Sequence, residues 1–138
     1  LGAPGAPTIL FYGHYDVQPV DPLELWDSPP FVTTTRDAEI YARGSADDKG
    51  QIHLHVMALA ALLATRGSLP VNVRYLFEGN EEDDARHLRQ WLTANRERLT
   101  SDVAVISDTG FFDGNLPSIT IGCRDSMATS RHRPSSLR

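Results

Sequence analysis

Three short apolar runs alternate along this chain with two segments of helical period, and that alternation admits few folds. The runs are "PTILFYG" at 7–13, "LPVNVRYLFE" at 69–78 and "DVAVIS" at 102–107. The first is a continuous apolar stretch bounded by Pro and Gly, and it reads as a strand with both faces of its sheet covered. From Asp48 to about Arg66 ("DKGQIHLHVMALAALLATR") the period changes. Ile52, Val56, Leu59 and Leu63 recur at helical spacing, the alanines favour helix, and Gly67 follows as a stop signal. "DDARHLRQWLTANRERL" (83–99) predicts a second helix, and "PFVTTTRDAEIYAR" predicts a hairpin turning near Arg36 and Asp37. The expected class is α/β, a mixed and largely parallel sheet flanked by helices.

Composition removes several function classes. With 138 residues, 41% hydrophobic and 22% charged, the chain can build one domain, or a piece of a larger one, and is too apolar for disorder. The net charge is -5 and acidic residues crowd "EGNEEDD" at 78–84, which argues against a nucleic-acid surface and directs attention to a cation site. Cys123 is the one cysteine, so no internal disulfide forms and a reducing compartment is expected. No apolar run is long enough to span a bilayer and the first residues lack the basic start of a signal peptide, which together predict a cytoplasmic protein without a membrane partner. The abrupt opening "LGAPGAP" suggests that an upstream segment is missing. Residues 123–138 ("CRDSMATSRHRPSSLR") have no apolar period and carry four arginines against one aspartate, and they read as an irregular basic tail, truncated or frameshifted.

Ligands of an open α/β sheet bind at the carboxyl ends of its parallel strands. Here the first run ends in "GHYD", the second in "EGNEED" and the third at Asp108, while "GSADDKG" brings Asp47 and Asp48 to a helix start. Four separated segments thus carry one imidazole and several carboxylates to one rim. Crowded carboxylates repel each other unless they are protonated or neutralised by a cation. One His with several Asp and Glu oxygens suits zinc, manganese or cobalt better than a soft-metal site, and one carboxylate can bridge two ions. Alternation in an extended segment puts His14 and Asp16 on the same side. One His14 nitrogen can then bind metal while Asp16 accepts a proton from the other.

"GHYDVQP", "ARGSADDKG", "FEGNEED" and "ISD" occur in the order and at about the spacing of the co-catalytic metallopeptidases related to carboxypeptidase G, aminoacylase, acetylornithine deacetylase and succinyl-diaminopimelate desuccinylase. The chain resembles that family over roughly residues 7–122, and "VQPVDPLELWDSPPF" looks most like its carnosine and cytosolic non-specific dipeptidase branch. The resemblance implies a partial zinc-peptidase catalytic domain at 1–122 that hydrolyses dipeptides or N-acyl amino acids with two divalent metal ions, Zn2+ before Mn2+ or Co2+. Carried over by position, His14 binds one ion, Asp47 bridges both, Glu82 binds the second and Asp108 completes the first. Glu81 is the implied general base, acting on a metal-bridging water, with Asp16 beside His14 as the other catalytic residue. A cis bond between Asp47 and Asp48 is also implied. The family's lid or dimerisation domain, through which relatives often form homodimers, and its last histidine ligand have no counterpart in this sequence, and His132 in the tail does not stand in for that ligand. Asp83, Asp84 and Ala85 replace the small Gly-Ser element that commonly follows the glutamate pair.

Plainer roles exist for each residue taken singly. Asp47 and Asp48 suit helix capping, Glu81 and Glu82 suit a solvated acidic loop, and Asp83 and Asp84 suit the first turn of a helix. An "SD" after a strand is common. His53, His55 and His87 fall in helices as surface or packing residues, Trp26 and Trp91 read as packing groups, and Lys49, the single lysine, as support for its turn. A non-enzymatic fragment holding at most one metal is the competing reading, and deacylation by the same centre is a third.

Overall fold

β1 (Thr8–His14) is the middle strand of a three-stranded parallel sheet, with β4 (Asn72–Glu78) on one side and β5 (Val103–Ile106) on the other. This computed structural model describes residues 4–110 and residue 116. The register runs from Thr8↔Asn72 to His14↔Glu78 against β4, and from Ile9↔Val103 to Tyr12↔Ile106 against β5. All three strands therefore end on the same rim. The chain divides into two units, Leu1–Asp108 and Thr109–Arg138, and every labelled element belongs to the first. The stretch that includes "TIG", Cys123 and the basic tail with His132 lie outside the described residues.

The hairpin forms where β-branched and aromatic residues flank a two-residue turn. β2 (Thr34–Arg36) pairs antiparallel with β3 (Glu39–Tyr41), and Asp37 and Ala38 both adopt positive φ, 51° and 65°, as a tight hairpin turn requires. Arg36 lies over the Tyr41 ring at 4.0 Å.

α1 (Lys49–Arg66) ends at Gly67, whose φ of 70° is the left-handed conformation that closes a helix. Its inner stripe differs from the expected one. Ile52, His55, Leu59 and Leu63 are half-buried, whereas Val56 is 40% exposed and His55 takes its place toward the sheet. The His55 ring lies 4.5 Å from Phe11 of β1, and its main-chain carbonyl accepts from the Tyr75 hydroxyl at 3.1 Å. His55 is thus a packing residue. The helix covers the Ile9, Phe11 and Gly13 face of β1. The expectation that both sheet faces are covered holds on that face only among the described residues, since Ile106, paired with Tyr12, is 63% exposed.

α2 (Arg86–Ala94) starts three residues later and stops earlier than the sequence pattern suggests, and a 3-10 turn (Arg96–Leu99) follows it. Its start is set by Asp84, which accepts from the Arg86 main-chain N–H at 2.9 Å, and by Ala85 at φ 49°. These residues precede the helix instead of forming its first turn. Asn95 interrupts the far end, its side-chain amide donating to the Trp91 carbonyl. Trp26 packs as expected, donating to the Val20 carbonyl at 2.9 Å beneath the Arg43 guanidinium.

Burial runs opposite to a usual core. Leu69 is the one buried apolar side chain among the described residues, while His14, Asp48 and Glu78, all polar, are buried at the rim where β1 and β4 end. Buried polar groups of this kind require partners, and they mark the place to look for function.

Candidate metal centre

His14 is fully buried because it closes β1 between two strands, and each ring nitrogen faces acid. Nδ1 lies 3.3 Å from Asp16 Oδ1, and Nε2 lies 3.0 Å from Asp47 Oδ1 and 3.6 Å from Asp108 Oδ2. Nδ1 and Asp16 Oδ1 are both buried and make no hydrogen bond among the described residues, so they face each other as a close charge contact. That pairing favours the tautomer with the proton on Nδ1 toward Asp16, and it turns the Nε2 lone pair toward the carboxylates.

Three strand ends supply the donors. His14, Glu81 and Asp108 each offer one ligand atom, and these atoms all lie within 4.8 Å of one another. Zinc–nitrogen and zinc–oxygen bonds of about 2.0–2.2 Å put two ligands of one ion at most about 4.4 Å apart, so His14 Nε2 and Asp108 Oδ2 at 3.6 Å can share an ion while Glu81 lies close enough to act on a molecule bound there. Asp47, on the loop before α1, adds its oxygen beside the same nitrogen.

Asp47 and Asp48 are joined by a cis peptide bond. Asp48 occupies the N-cap position of α1 but makes no capping hydrogen bond with its side chain. Its Oδ2 instead accepts the main-chain N–H of His14 at 3.2 Å, which ties the helix start to the end of β1. Lys49 supports the turn as its position suggests, donating from Nζ to the Tyr15 carbonyl at 2.6 Å.

The two adjacent glutamates separate. Glu81 faces His14 and Asp108, whereas Glu82 turns toward the loop after β1. The Gln18 main-chain N–H donates to Glu82 Oε1 at 3.2 Å, and its side-chain amide donates to Oε2 at 2.7 Å. The Glu82 N–H donates to Asp16 Oδ2 at 3.0 Å. Gln18 was invisible to sequence reasoning as a functional residue. So was Tyr12, which lies with Glu78 on the His14 face of the sheet and donates its hydroxyl to Glu78 Oε1, whereas Glu78 stood in the acidic run "EGNEEDD". The one available signal for Tyr12 was alternation from His14 back along the strand.

Residues 10–129 match the Peptidase family M20/M25/M40. The chain belongs to that family. This M20 chain is 38% identical over 119 residues to the Beta-Ala-His dipeptidase of Homo sapiens, an alignment covering 85% of the chain and 24% of the relative. It is 39% identical over 126 residues to the succinyl-diaminopimelate desuccinylase of Delftia acidovorans, covering 88% and 32%. Its structure superposes with TM-score 0.72 on the crystal structure of a M20 family metallo-carboxypeptidase, Sso-CP2 from Sulfolobus solfataricus, at 39% identity over 76% of the chain and 24% of that protein. The chain thus spans about a quarter to a third of the length of these relatives. No helix among the described residues is long and apolar enough to cross a membrane.

The acid crowding has a pH signature in the metal-free M20 chain. Burial alone would push the His14 imidazole down, but the carboxylates of Asp108, Glu81 and Asp47 outweigh it and hold the ring above its ordinary value. Burial raises the Glu81 carboxyl, with Asp108 and Glu82 adding to the shift, and burial followed by Asp47 raises Asp108. Each of these groups binds protons more readily when folded, so each favours the fold as pH falls below its raised pKa and loses that contribution as pH climbs through it. The metal-free chain is therefore expected to melt at a higher temperature near about pH 5.5 than near about pH 8. A saturating divalent ion should shrink that difference by replacing protons as the counter-charge. Differential scanning fluorimetry across this range checks the sign, and a metal-free midpoint that rises with pH would contradict it.

Proposed function

We propose that this chain is the metal-binding portion, residues 1–122, of a metallodipeptidase catalytic domain that cleaves the amide bond of small peptides. The observation that carries the reading is the convergence of His14, Asp47, Glu81 and Asp108 from four segments at the carboxyl ends of β1, β4 and β5 and the start of α1. His14, Asp47 and Asp108 would hold one divalent ion, and Asp47 with Glu82 the second, zinc being favoured by the mixed nitrogen and oxygen donors. When bound, the ions supply a Lewis acid that polarises the scissile carbonyl and stabilises the charge that develops on its oxygen.

The chain's own residues do the rest. Glu81, raised by its burial beside Asp108, takes a proton from the attacking water on its carboxylate and returns it to the leaving amine. Asp16 holds the His14 ring by Nδ1 and fixes its orientation. A dipeptide substrate is supported by relatives that include a Beta-Ala-His dipeptidase, and an N-succinyl or N-acetyl amino acid by relatives that include a desuccinylase. The lone Cys123 fits a cytoplasmic setting.

The test is a hydrolysis panel on the zinc-loaded chain with β-alanyl-histidine, other dipeptides, and N-acetyl and N-succinyl amino acids. Turnover of dipeptides is expected, and Glu81→Gln should lower it by roughly 10²–10⁴-fold while zinc stoichiometry stays the same. Faster turnover of the acylated amino acids would assign the centre to deacylation. Zinc binding with no turnover of any substrate would overturn the peptidase reading for this chain and leave a metal-binding fragment.

A further inference from the structure

Glu81 and Glu82 are neighbours in sequence with the same side chain, yet only one of them joins the cluster around His14. The difference lies in the loop after β1. Glu82 is gripped at its main-chain N–H by Asp16 Oδ2 (3.0 Å) and at its main-chain carbonyl by the Gln18 amide (3.2 Å). Its carboxylate receives the Gln18 main-chain N–H at Oε1 (3.2 Å) and the Gln18 side-chain amide at Oε2 (2.7 Å). One residue thus contacts both carboxylate oxygens and the backbone of Glu82.

The chemistry of the gripping group matters. A Lys or Arg at this position would neutralise Glu82 and repel an approaching cation. A primary amide is neutral and donates, so it orients the carboxylate and leaves its charge intact. Each carboxylate oxygen has two lone-pair directions, so one stays free at each oxygen after Gln18 has bonded. Asp16, which grips the Glu82 N–H, also faces His14 Nδ1, so the same short loop registers Glu82 against the His14 cluster.

We infer that Gln18 is a positioning residue that holds Glu82 as a cation ligand separate from Glu81. This rests on the reading in which Glu82 binds the second ion. Gln18 acts on the ion through Glu82, whose carboxylate and backbone it holds. Its place is solvent-exposed, so replacing it leaves the sheet and α1 undisturbed.

The test is titration of the whole chain with Co2+, followed by calorimetry and visible absorption, in Gln18→Met, Glu82→Ala, the double variant and Asp108→Ala. Methionine keeps the length of glutamine and removes the side-chain donor. The Gln18→Met chain is expected to weaken the Glu82-dependent binding step by roughly tenfold or more, the size typical for loss of a group that orients a ligand. The Asp108-dependent step and its cobalt spectrum should stay as in the parent. The double variant should bind no more weakly than Glu82→Ala alone, because the amide has no other route to the ion. A Gln18→Met chain with an unchanged Glu82-dependent step would overturn the inference while the Glu82 assignment stands. So would additive losses in the double variant, or a loss spread equally over both steps. If Glu82→Ala alters no binding step, Glu82 is not a ligand and both readings fall together.

Discussion

Replacing His14 with alanine is expected to abolish the divalent-metal binding step that depends on His14 and Asp108. His14 is the one nitrogen donor in the cluster, fully buried at the end of β1, with Nε2 within 3.6 Å of both Asp47 and Asp108. Loss of an outer partner of a ligand typically costs about 10–100-fold in affinity, and loss of the ligand itself should exceed that range. The clearest readout is thermal. A ligand that binds only the native state at 100 times its Kd stabilises by about 2.7 kcal/mol, so zinc should raise the melting midpoint of the parent chain, and that of His14→Ala should lose the part due to the His14 site. The comparison is made within each variant, so any change in the metal-free midpoint does not confuse it. A full zinc-induced rise in His14→Ala would show that the ion sits elsewhere.

Gly13→Ala should destabilise this chain and disturb the candidate metal centre at once. A Cβ at Gly13 would lie 2.6 Å from Ile52 Cγ1, 2.7 Å from Asp48 Oδ2 and 3.0 Å from Ile52 Cδ1. All three atoms belong to the first turn of α1 and the residue before it, so the helix must slide away from β1 to admit the methyl. Overpacking of this kind costs roughly 1–3 kcal/mol, and each kcal/mol lowers the midpoint of a domain this size by roughly 3–5 °C. Asp48 moves with the helix and loses its bond from the His14 N–H, and its neighbour Asp47 moves too. Zinc affinity should therefore fall along with the midpoint. Gly110→Ala, where a Cβ meets nothing within 4 Å among the described residues, is the control and should change neither. A Gly13→Ala chain that melts like the parent would mean that α1 does not lie so close to β1.

Much of this architecture was legible in one dimension because it depends on period. The Thr8–His14 run, the helix from Lys49 closed by Gly67 and the β4 and β5 runs fell within a few residues of their expected bounds, and the hairpin turn, expected near Arg36 and Asp37, fell one residue on at Asp37 and Ala38. What periodicity could not resolve was choice among near-equivalent positions. Val56 and His55 both satisfy a 3.6-residue stripe beside Ile52 and Leu59, and the ring of Phe11 decided between them by stacking on His55. The bounds of α2 were misjudged for a related reason. Asp84 and Asn95 bond locally to the backbone, and such bonds compete with the helix without altering the apolar pattern.

The candidate site divides in the same way. The sequence put His14, Asp47, Glu81, Glu82 and Asp108 on one rim, because each follows a strand or precedes a helix, and the structure brings His14, Asp47, Glu81 and Asp108 together while Glu82 turns to Gln18. Which carboxylate faces which nitrogen was decided only in three dimensions. Asp48 reads as a capping residue until the close approach of α1 to Gly13 brings its oxygen to the His14 N–H. Glu81 and Glu82 are interchangeable as letters, and the loop from Asp16 to Gln18 separates them by hydrogen bonds spanning more than sixty residues of sequence. Apolar period is a local property of the chain, so the sequence by itself determined the elements, their parallel order and the rim on which the acids gather. Hydrogen bonds between distant loops have no period, so only the tertiary structure decided the partner of each acid.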